Sequence, residues 1–395
     1  MKNQQRLSRR MLLGGSIGVA GVLALSANPQ GANASSAIFD KPDTASLDAM
    51  SNNSIKTGQV GNTSHADKAT TPLTPPTPTV PKTPPPTPTV PKTPPPPKAP
   101  APTPSLPFMI GDVDPKVNGF DPMEILTDFD RGTVSKLPSG QTLREFTITA
   151  TNKTILAAPG QKFDAWAFNG RVPGPAIRAT AGDHVRIRFI NKSTAPHGIH
   201  FHGIHSGNVD GAFLSVVPGS ETVYEFDAQP VGVHLYHCHM SPLFTHIYKG
   251  LYGFFIIDPP QPRPQALELA MMMNGFSFKP SPGSDDSNDL HAINTVAYHF
   301  LKHPIPIPVN QLVRVYLGGM LEFDKLFGFQ MHSNMFNLFS TGTSFEPTEL
   351  TNSVLMCQGQ RAILEFSFKF PRSYMFRSLY SEHADKGFMG TFQVK

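Results

Sequence analysis

The chain has 395 residues, which is enough for two domains of ordinary size. Its formal net charge is +4, but residues 1–34 carry four basic side chains and no acidic one, so the rest of the chain has a net charge near zero (+4 − 4). The basic isoelectric point is therefore no sign of nucleic-acid binding, and two cysteines are too few for a disulfide framework.

The first predicted element is an export signal in residues 1–34. The stretch "SRRMLL", residues 8–13, is a twin-arginine pattern, and an apolar run softened by Gly and Ser follows it as far as Ala27. Ala32, Asn33 and Ala34 supply an A-x-A cleavage site. This apolar run is too short, and too often interrupted by Gly and Ser, for a membrane anchor. We therefore expect export by the twin-arginine route to the periplasm, cell envelope or extracellular space, with no membrane span after cleavage.

Two segments of biased composition follow the signal. Residues 35–71 are polar and have no clear periodicity, which predicts a disordered segment. Residues 72–106 are rich in Pro, Thr and Lys, and "TPTVPKTPPP" occurs at 77–86 and again at 87–96. This composition predicts a disordered, stiff polyproline linker without hydrogen-bonding partners of its own. At roughly 3.1 Å per residue, such a linker spans on the order of 100 Å.

From residue 107 onward the chain consists of short runs that are rich in β-branched and aromatic residues. Examples are "REFTITATN", "HVRIRFIN", "LYGFFIID" and "RAILEFSFKF", and Gly, Pro, Asn or Asp often bound such runs. No long stretch keeps a helical period. We therefore predict an all-β protein with two β-sandwiches, residues 107–260 and 261–395, joined near "DPPQPRPQ".

Eight of the fifteen histidines lie between residues 197 and 246, around one of the two cysteines. Because successive side chains of a strand point to opposite faces, parity sorts these residues into two sets. The first set contains Cys238 and His197, which His246 joins from a loop. The second set lies on the opposite face and contains two histidines from each of two strands: His200, His202, His237 and His239.

The first set supplies one thiolate and two imidazoles, which is the trigonal ligand set of a blue (type 1) copper centre. Zinc is the alternative, but a structural zinc site needs a closed tetrahedral set. Leu251, five residues after His246, is expected to face the metal axially and cannot bind it. We therefore predict copper at Cys238. Its neighbours His237 and His239 can bind other metal ions, which predicts an electron relay to a second centre.

The sequence resembles the two-domain multicopper oxidases, relatives of laccases and of copper nitrite reductases. Four motifs within residues 112–395 carry the resemblance: "FNGRVPGPAIRATAGDHVRIRFIN", "HGIHFHG", "YHCHMSPLFTHIYKGLYGFFIIDP" and "TGTSFEPTELTNSVLMCQGQRAILEFSF". The resemblance implies two cupredoxin-like Greek-key sandwiches and a homotrimer, with a polynuclear copper site between domain 1 of one subunit and domain 2 of its neighbour. It implies type 1 copper ligands at His197, Cys238 and His246, and domain-1 ligands of a trinuclear cluster at His200, His202, His237 and His239. Two of these, His200 and His239, are the candidate catalytic residues.

The family pattern has four more histidines in domain 2, arranged as two H-x-H pairs. Domain 2 of this sequence departs from that pattern. In "FQMHSN", Gln330 replaces the first histidine, and only His332 remains as a predicted metal ligand. In "MFRSLYSE", Arg377 and Leu379 occupy both positions of the second pair. Arg377 brings a permanent positive charge, which opposes metal binding. We therefore expect a type 2 or trinuclear centre to be weakened or lost, and we do not expect His383, four residues beyond Leu379, to replace the missing ligands.

The resemblance implies an exported copper-dependent oxidoreductase that takes electrons from an unidentified donor and reduces oxygen at an interdomain copper centre. One alternative is a copper nitrite reductase, which needs one type 2 copper held by three histidines. His202 and His237 match two of these ligands, but the segment "FRSLYS" supplies no third, and His200 stands where nitrite reductases have an aspartate. The other alternative is a non-catalytic blue-copper electron carrier or copper-binding protein, against which the four domain-1 histidines argue.

Overall fold

The computed structural model describes residues 111–204, 210–278 and 287–395. The predicted signal peptide (1–34), polar segment (35–71) and Pro-rich linker (72–106) lie outside the described residues. The described part of the chain is built mainly of strands, so the all-β prediction is confirmed. No helix in this part is long and apolar enough to cross a membrane. Both cysteines are free; Cys238 is buried and Cys357 is exposed.

The first sandwich follows two short helices, α1 (Pro115–Asn118) and α2 (Pro122–Ile125). Its strands are β1 (Phe129–Asp130), β2 (Thr133–Lys136), β3 (Thr142–Ala158), β4 (Gln161–Phe168), β5 (Ala176–Thr180), β6 (His184–Asn191), β7 (His200–His202), β8 (Glu221–Asp227), β9 (Gly232–His237) and β10 (Tyr252–Asp258). A third helix, α3 (Leu243–Tyr248), lies between β9 and β10. One sheet has the order β1-β5-β10-β9-β7 and the other has the order β2-β3-β6-β8, with β4 paired to β3.

The second sandwich contains the helices α4 (His299–Lys302) and α5 (Ser381–Asp385). Its strands are β11 (Leu267–Phe276), β12 (Leu290–Ile293), β13 (Ile305–Ile307), β14 (Val313–Gly319), β15 (Phe327–Met331), β16 (Phe336–Ser340), β17 (Glu349–Thr351), β18 (Ser353–Met356), β19 (Arg361–Phe366), β20 (Ser373–Ser378) and β21 (Met389–Val394). Its sheets have the orders β12-β11-β14-β19-β16-β17 and β13-β21-β20-β15-β18.

The two sandwiches share one pattern of strand pairing. β3 pairs parallel with β6 and antiparallel with β4, and β11 pairs in the same way with β14 and β12. In the facing sheets, β5-β10-β9-β7 and β13-β21-β20-β15 have the same sequence of one parallel and two antiparallel pairings. The second sandwich therefore has a counterpart for each element that carries the histidine motifs: β15 for β7, β20 for β9 and α5 for α3.

Strand β9 is buried along its whole length because it contacts apolar side chains on both faces. Tyr236 packs inside the first sandwich. Val233 and Leu235 belong to a core cluster that also contains Phe339 and Ile363 of the second sandwich. The strand that precedes Cys238 thus packs between the cores of the two sandwiches.

A network of buried and half-buried ion pairs also joins the two sandwiches. Nη1 of Arg178 donates to Oε2 of Glu268 at 2.6 Å, and Nη1 of Arg314 donates to Oε1 of the same carboxylate at 3.1 Å. The hydroxyl of Tyr316 donates to Oε1 at 2.7 Å. Burial raises the pKa of Glu268, but the hydrogen bonds from Arg178, Tyr316 and Arg314 and the guanidinium charge lower it to about 2. Glu268 is therefore ionised wherever the protein is folded near neutral pH.

Glu268→Gln is expected to lower the free energy of unfolding by about 3–5 kcal/mol at neutral pH, because two buried guanidinium groups lose their shared carboxylate. The folded-state pKa of Glu268 lies below its unfolded value of about 4.3, so this contribution is complete above that value and is lost as the pH falls towards 2. Denaturant unfolding at pH 7 and pH 3 measures both effects. Glu225→Gln, at the exposed Arg186–Glu225 pair, is the control and should change stability little. If the free energies of unfolding of wild type and Glu268→Gln differed by the same amount at pH 7 and pH 3, this assignment would be wrong.

Candidate metal centres

Three elements of the first sandwich bring His197, Cys238 and His246 together. His197 precedes β7, Cys238 follows β9, and His246 lies in α3. Sγ of Cys238 is 3.1 Å from Nδ1 of His246 and 3.8 Å from Nδ1 of His197, and the two Nδ1 atoms are 3.1 Å apart. All three side chains are buried. One sulfur and two ring nitrogens thus converge on a single point inside the sandwich.

The ionisation of these three groups suits a metal ion. Burial lowers the pKa of His197 to about 3 and that of His246 to about 4, so both rings are neutral at physiological pH. Burial raises the pKa of the Cys238 thiol to about 11, so a bound cation must displace its proton. Leu251 packs in the same core cluster as Cys238 and offers no ligand atom. A thiolate and two neutral imidazoles beside an apolar residue fit copper.

The indole of Trp166 covers this site. Its ring centroid lies 4.8 Å from that of His197 and 4.8 Å from that of His246. A large apolar ring in this position limits the access of water to the two histidines and holds their orientation. No sequence motif marks Trp166 as part of the site, although it is the one tryptophan of the chain and lies on a strand with alternating burial.

His200, His202 and His237 form a second group on the opposite face of β9. Ligand nitrogens of these three residues all lie within 4.8 Å of one another, and Nδ1 of His202 is 3.4 Å from Nε2 of His237. His239 lies beside the group, with its ring centroid 5.1 Å from that of His200. Burial lowers the pKa of His237 to about 3 and that of His202 to about 4, so these rings are neutral and able to bind a metal ion.

Backbone carbonyl groups fix the orientation of three of the four rings. In each, Nδ1 lies 2.9 to 3.1 Å from a carbonyl oxygen: His200 from Asp210, His237 from Cys238, and His239 from Ala212. A carbonyl oxygen only accepts hydrogen bonds, so Nδ1 carries the proton and Nε2 carries the lone pair. This is the tautomer that a metal-binding histidine needs, so the group is prepared for metal binding on the Nε2 side.

The positions of the second sandwich that correspond to the domain-1 histidines are arranged differently. The pairing of β15 with β20 places Gln330 opposite Arg377. Nε of Arg377 donates to Nε2 of His332 at 3.3 Å, which occupies the lone pair that a metal ion needs. Leu379 has no ligand atom. Among the described residues, His332 belongs to none of the groups that bring three ligand atoms together. The predicted role of His332 as a metal ligand therefore stays a prediction.

Two β-sandwiches with a buried Cys-His₂ set define a copper protein with cupredoxin-like domains. Two family models described as multicopper oxidase match residues 149–262 and 263–395. The chain belongs to the multicopper oxidase family, whose members bind copper, and the predicted family and cofactor are confirmed.

Known proteins of this family resemble the chain over most of the described residues. A multicopper oxidase crystal structure is 44% identical, with a TM-score of 0.69, and the match covers 72% of this chain and 100% of that one. The blue copper oxidase from Nitrosomonas europaea is 26% identical, with a TM-score of 0.58, over 64% of this chain and 86% of that one. A copper-containing nitrite reductase of Neisseria meningitidis is 26% identical over 265 residues, 62% of this chain and 66% of that protein. The chain thus spans slightly less than two thirds of that relative, and its relatives include both oxidases and nitrite reductases.

Proposed function

We propose that this chain is an exported copper-dependent oxidoreductase. It accepts electrons from an external donor at the Cys238 centre and passes them to a second centre at the domain-1 histidines, where oxygen is reduced. The observation that carries the proposal is the chain connection between the two groups of ligands. Cys238 belongs to one group, and its covalent neighbours His237 and His239 lie with the other.

The residues between the two groups form a short path for an electron. One peptide bond joins His237 to Cys238, and Nδ1 of the His237 ring donates to the Cys238 carbonyl oxygen at 2.9 Å. Copper, when bound, supplies the one-electron redox chemistry, and the protein supplies binding, orientation and exclusion of water. Burial of Cys238, His197 and His246 and the cover of Trp166 provide that exclusion at the first centre.

The proposed assembly is a homotrimer, in which domain 2 of a neighbouring subunit covers the domain-1 histidines. Phe213 supports this arrangement, because its side chain is 98% exposed next to Ala212, whose carbonyl oxygen holds His239. Leu214 and Val217, within four residues of Phe213, are also exposed (40% and 54%), and several exposed apolar residues close together are typical of an interaction surface. Export by the twin-arginine route rests on residues 1–34 and belongs to the same proposal.

Two other functions each have a specific observation in their favour. The hydrogen bond from Arg377 to His332 favours a blue-copper electron carrier, because it removes the remaining domain-2 imidazole from metal binding. The similarity to a copper-containing nitrite reductase favours nitrite as the acceptor, with His202 and His237 as two of the three ligands it needs. The tautomers of the domain-1 histidines support a second metal centre, and oxygen is the acceptor that we propose for it.

His239→Ala is expected to lower oxygen consumption by roughly 10- to 100-fold and to leave the visible absorption of the Cys238 centre unchanged. The reason is that His239 contacts the second group of histidines and lies outside the first. Oxygen-electrode assays with an artificial one-electron donor, together with visible spectra of the same samples, measure both effects. His303→Ala, at an exposed histidine of the second sandwich, is the matched control. Equal oxygen consumption by His239→Ala and wild type would remove the second centre from the mechanism.

A further inference from the structure

A group of His291, Asp324 and His383 lies inside the second sandwich, apart from the two centres described above. Nε2 of His291 is 2.8 Å from Oδ2 of Asp324, and Nε2 of His383 is 3.4 Å from Oδ1. The two imidazole rings stack, with centroids 4.1 Å apart and an interplanar angle of 14°. One ligand atom from each residue lies within 4.8 Å of the other two, and both histidines are buried.

This group lies where the pairing pattern of the first sandwich places the Cys238 site. The register of β20 against β15 matches that of β9 against β7, and it aligns Ser378 with Cys238. Helix α5 follows β20 as α3 follows β9, and the two helices carry His383 and His246, respectively. Oγ of Ser378 is 3.5 Å from Nδ1 of His383, just as Sγ of Cys238 is 3.1 Å from Nδ1 of His246. The second sandwich therefore has a serine where the first has its thiolate.

His291 also has a counterpart in the first sandwich. His291 on β12 and Trp166 on β4 each lie three residues before an asparagine with positive φ, Asn294 at 53° and Asn169 at 50°. A histidine thus replaces the indole that covers the copper site. Asp324 lies six residues before Gln330, whereas His197 lies three residues before His200, so the carboxylate enters from a different position of the segment before β15. The group in the second sandwich thus has two imidazoles and a carboxylate but no sulfur.

We propose that His291, Asp324 and His383 bind one zinc ion at this position. Two imidazoles and one carboxylate form a zinc ligand set that leaves a fourth position for water. Without a thiolate, the group lacks the soft ligand of a blue copper site. Zinc has no redox chemistry, so the site takes no part in electron transfer, and a bound ion joins β12, α5 and the segment before β15 to one another.

The charge of the group favours a divalent cation. Burial raises the pKa of Asp324, but hydrogen bonds from His291, His383 and Asn288 hold it well below its usual range. The Asp324 carboxylate thus places anionic oxygens beside the ring nitrogens of both histidines, and zinc accepts both kinds of ligand. The amide of Asn288 donates to Asp324 and to the carbonyl oxygen of Glu322 (2.7 Å), which fixes the carboxylate in place.

The test is zinc binding by the full chain whose copper sites have first been loaded. After a several-fold excess of Zn²⁺ and removal of unbound ions, elemental analysis should find about one zinc ion per chain, and the Tm should rise. Asp324→Asn, which is nearly isosteric, and His383→Gln should each weaken zinc binding by at least roughly 10-fold. His303→Gln, at an exposed histidine of the same sandwich, should bind zinc as the wild type does.

Each outcome of this test decides the proposal. If zinc binds at the second copper centre instead, the His202→Gln variant should fail to bind it and the Asp324→Asn variant should bind it normally. That result would overturn the proposed site at His291, Asp324 and His383. Equal zinc content and equal Tm shifts in wild type and Asp324→Asn overturn it as well. If the variants do not fold, the wild type decides alone, because no zinc uptake by the copper-loaded chain contradicts the proposal.

Discussion

Cys238→Ser is expected to abolish the visible absorption of the copper-loaded protein and to lower oxygen consumption by roughly 100-fold or more. Cys238 supplies the one sulfur ligand among the three atoms that converge in the first sandwich, and its peptide bond to His237 is the path to the second group. A serine hydroxyl is a harder and weaker ligand, so the soft metal ion loses its strongest bond. Visible spectra and oxygen uptake of the same preparation measure these two effects, and the copper content shows whether the metal ion stays bound.

Cys357→Ser is the matched control for this substitution. Cys357 is the other free cysteine of the chain and is exposed, outside both groups of ligands. The control should retain the spectrum, the copper content and the oxygen uptake of the wild type. Retention of the visible absorption by Cys238→Ser would mean that the blue centre lies elsewhere, and the account of the first sandwich would be wrong.

Restoring the missing histidines of domain 2 is expected to give the largest gain of function. The triple variant Gln330→His, Arg377→His and Leu379→His should raise bound copper by about one ion per chain or more, because each copper ion depends on two or three imidazoles. It should also raise oxygen consumption by at least roughly 10-fold. The change has two physical effects: it adds ligands, and it removes the guanidinium that now donates to Nε2 of His332.

Arg377→Gln alone separates these two effects. It removes the positive charge without adding an imidazole, so it should free His332 but raise copper content less than the triple variant does. Elemental analysis and oxygen uptake after reconstitution with excess copper measure the difference. If the triple variant gained neither copper nor activity, these three positions would not limit the second centre.

The arrangement of the domain-1 ligands follows closely from the sequence. Alternation along β6 buries Val185, Ile187 and Phe189, as its period of two predicts. The same alternation separates Cys238 from His237 and His239, because neighbouring side chains at a strand end point to opposite faces. Both features depend only on local backbone geometry, which the alternation of residue types along a strand reports directly.

Contacts between distant segments could not be read from the sequence. The hydrogen bond between Arg377 and His332 depends on the register of β15 against β20, which the side-chain pattern does not reveal. Similarly, His291, Asp324 and His383 lie far apart in the chain, on elements whose pairing alone brings them together. The carbonyl groups that orient the domain-1 histidines are equally invisible, because every residue type has one.

In the mechanism that we propose, electrons pass from a copper ion at Cys238 to copper held by the domain-1 histidines. Copper per chain and an EPR spectrum, measured on full-length protein reconstituted with excess copper, test this relay. We expect about two or more copper ions per chain, with a type 1 signal from the Cys238 centre and an additional type 2 signal. About one copper ion with a type 1 signal alone would contradict the relay and would identify the protein as a blue-copper electron carrier.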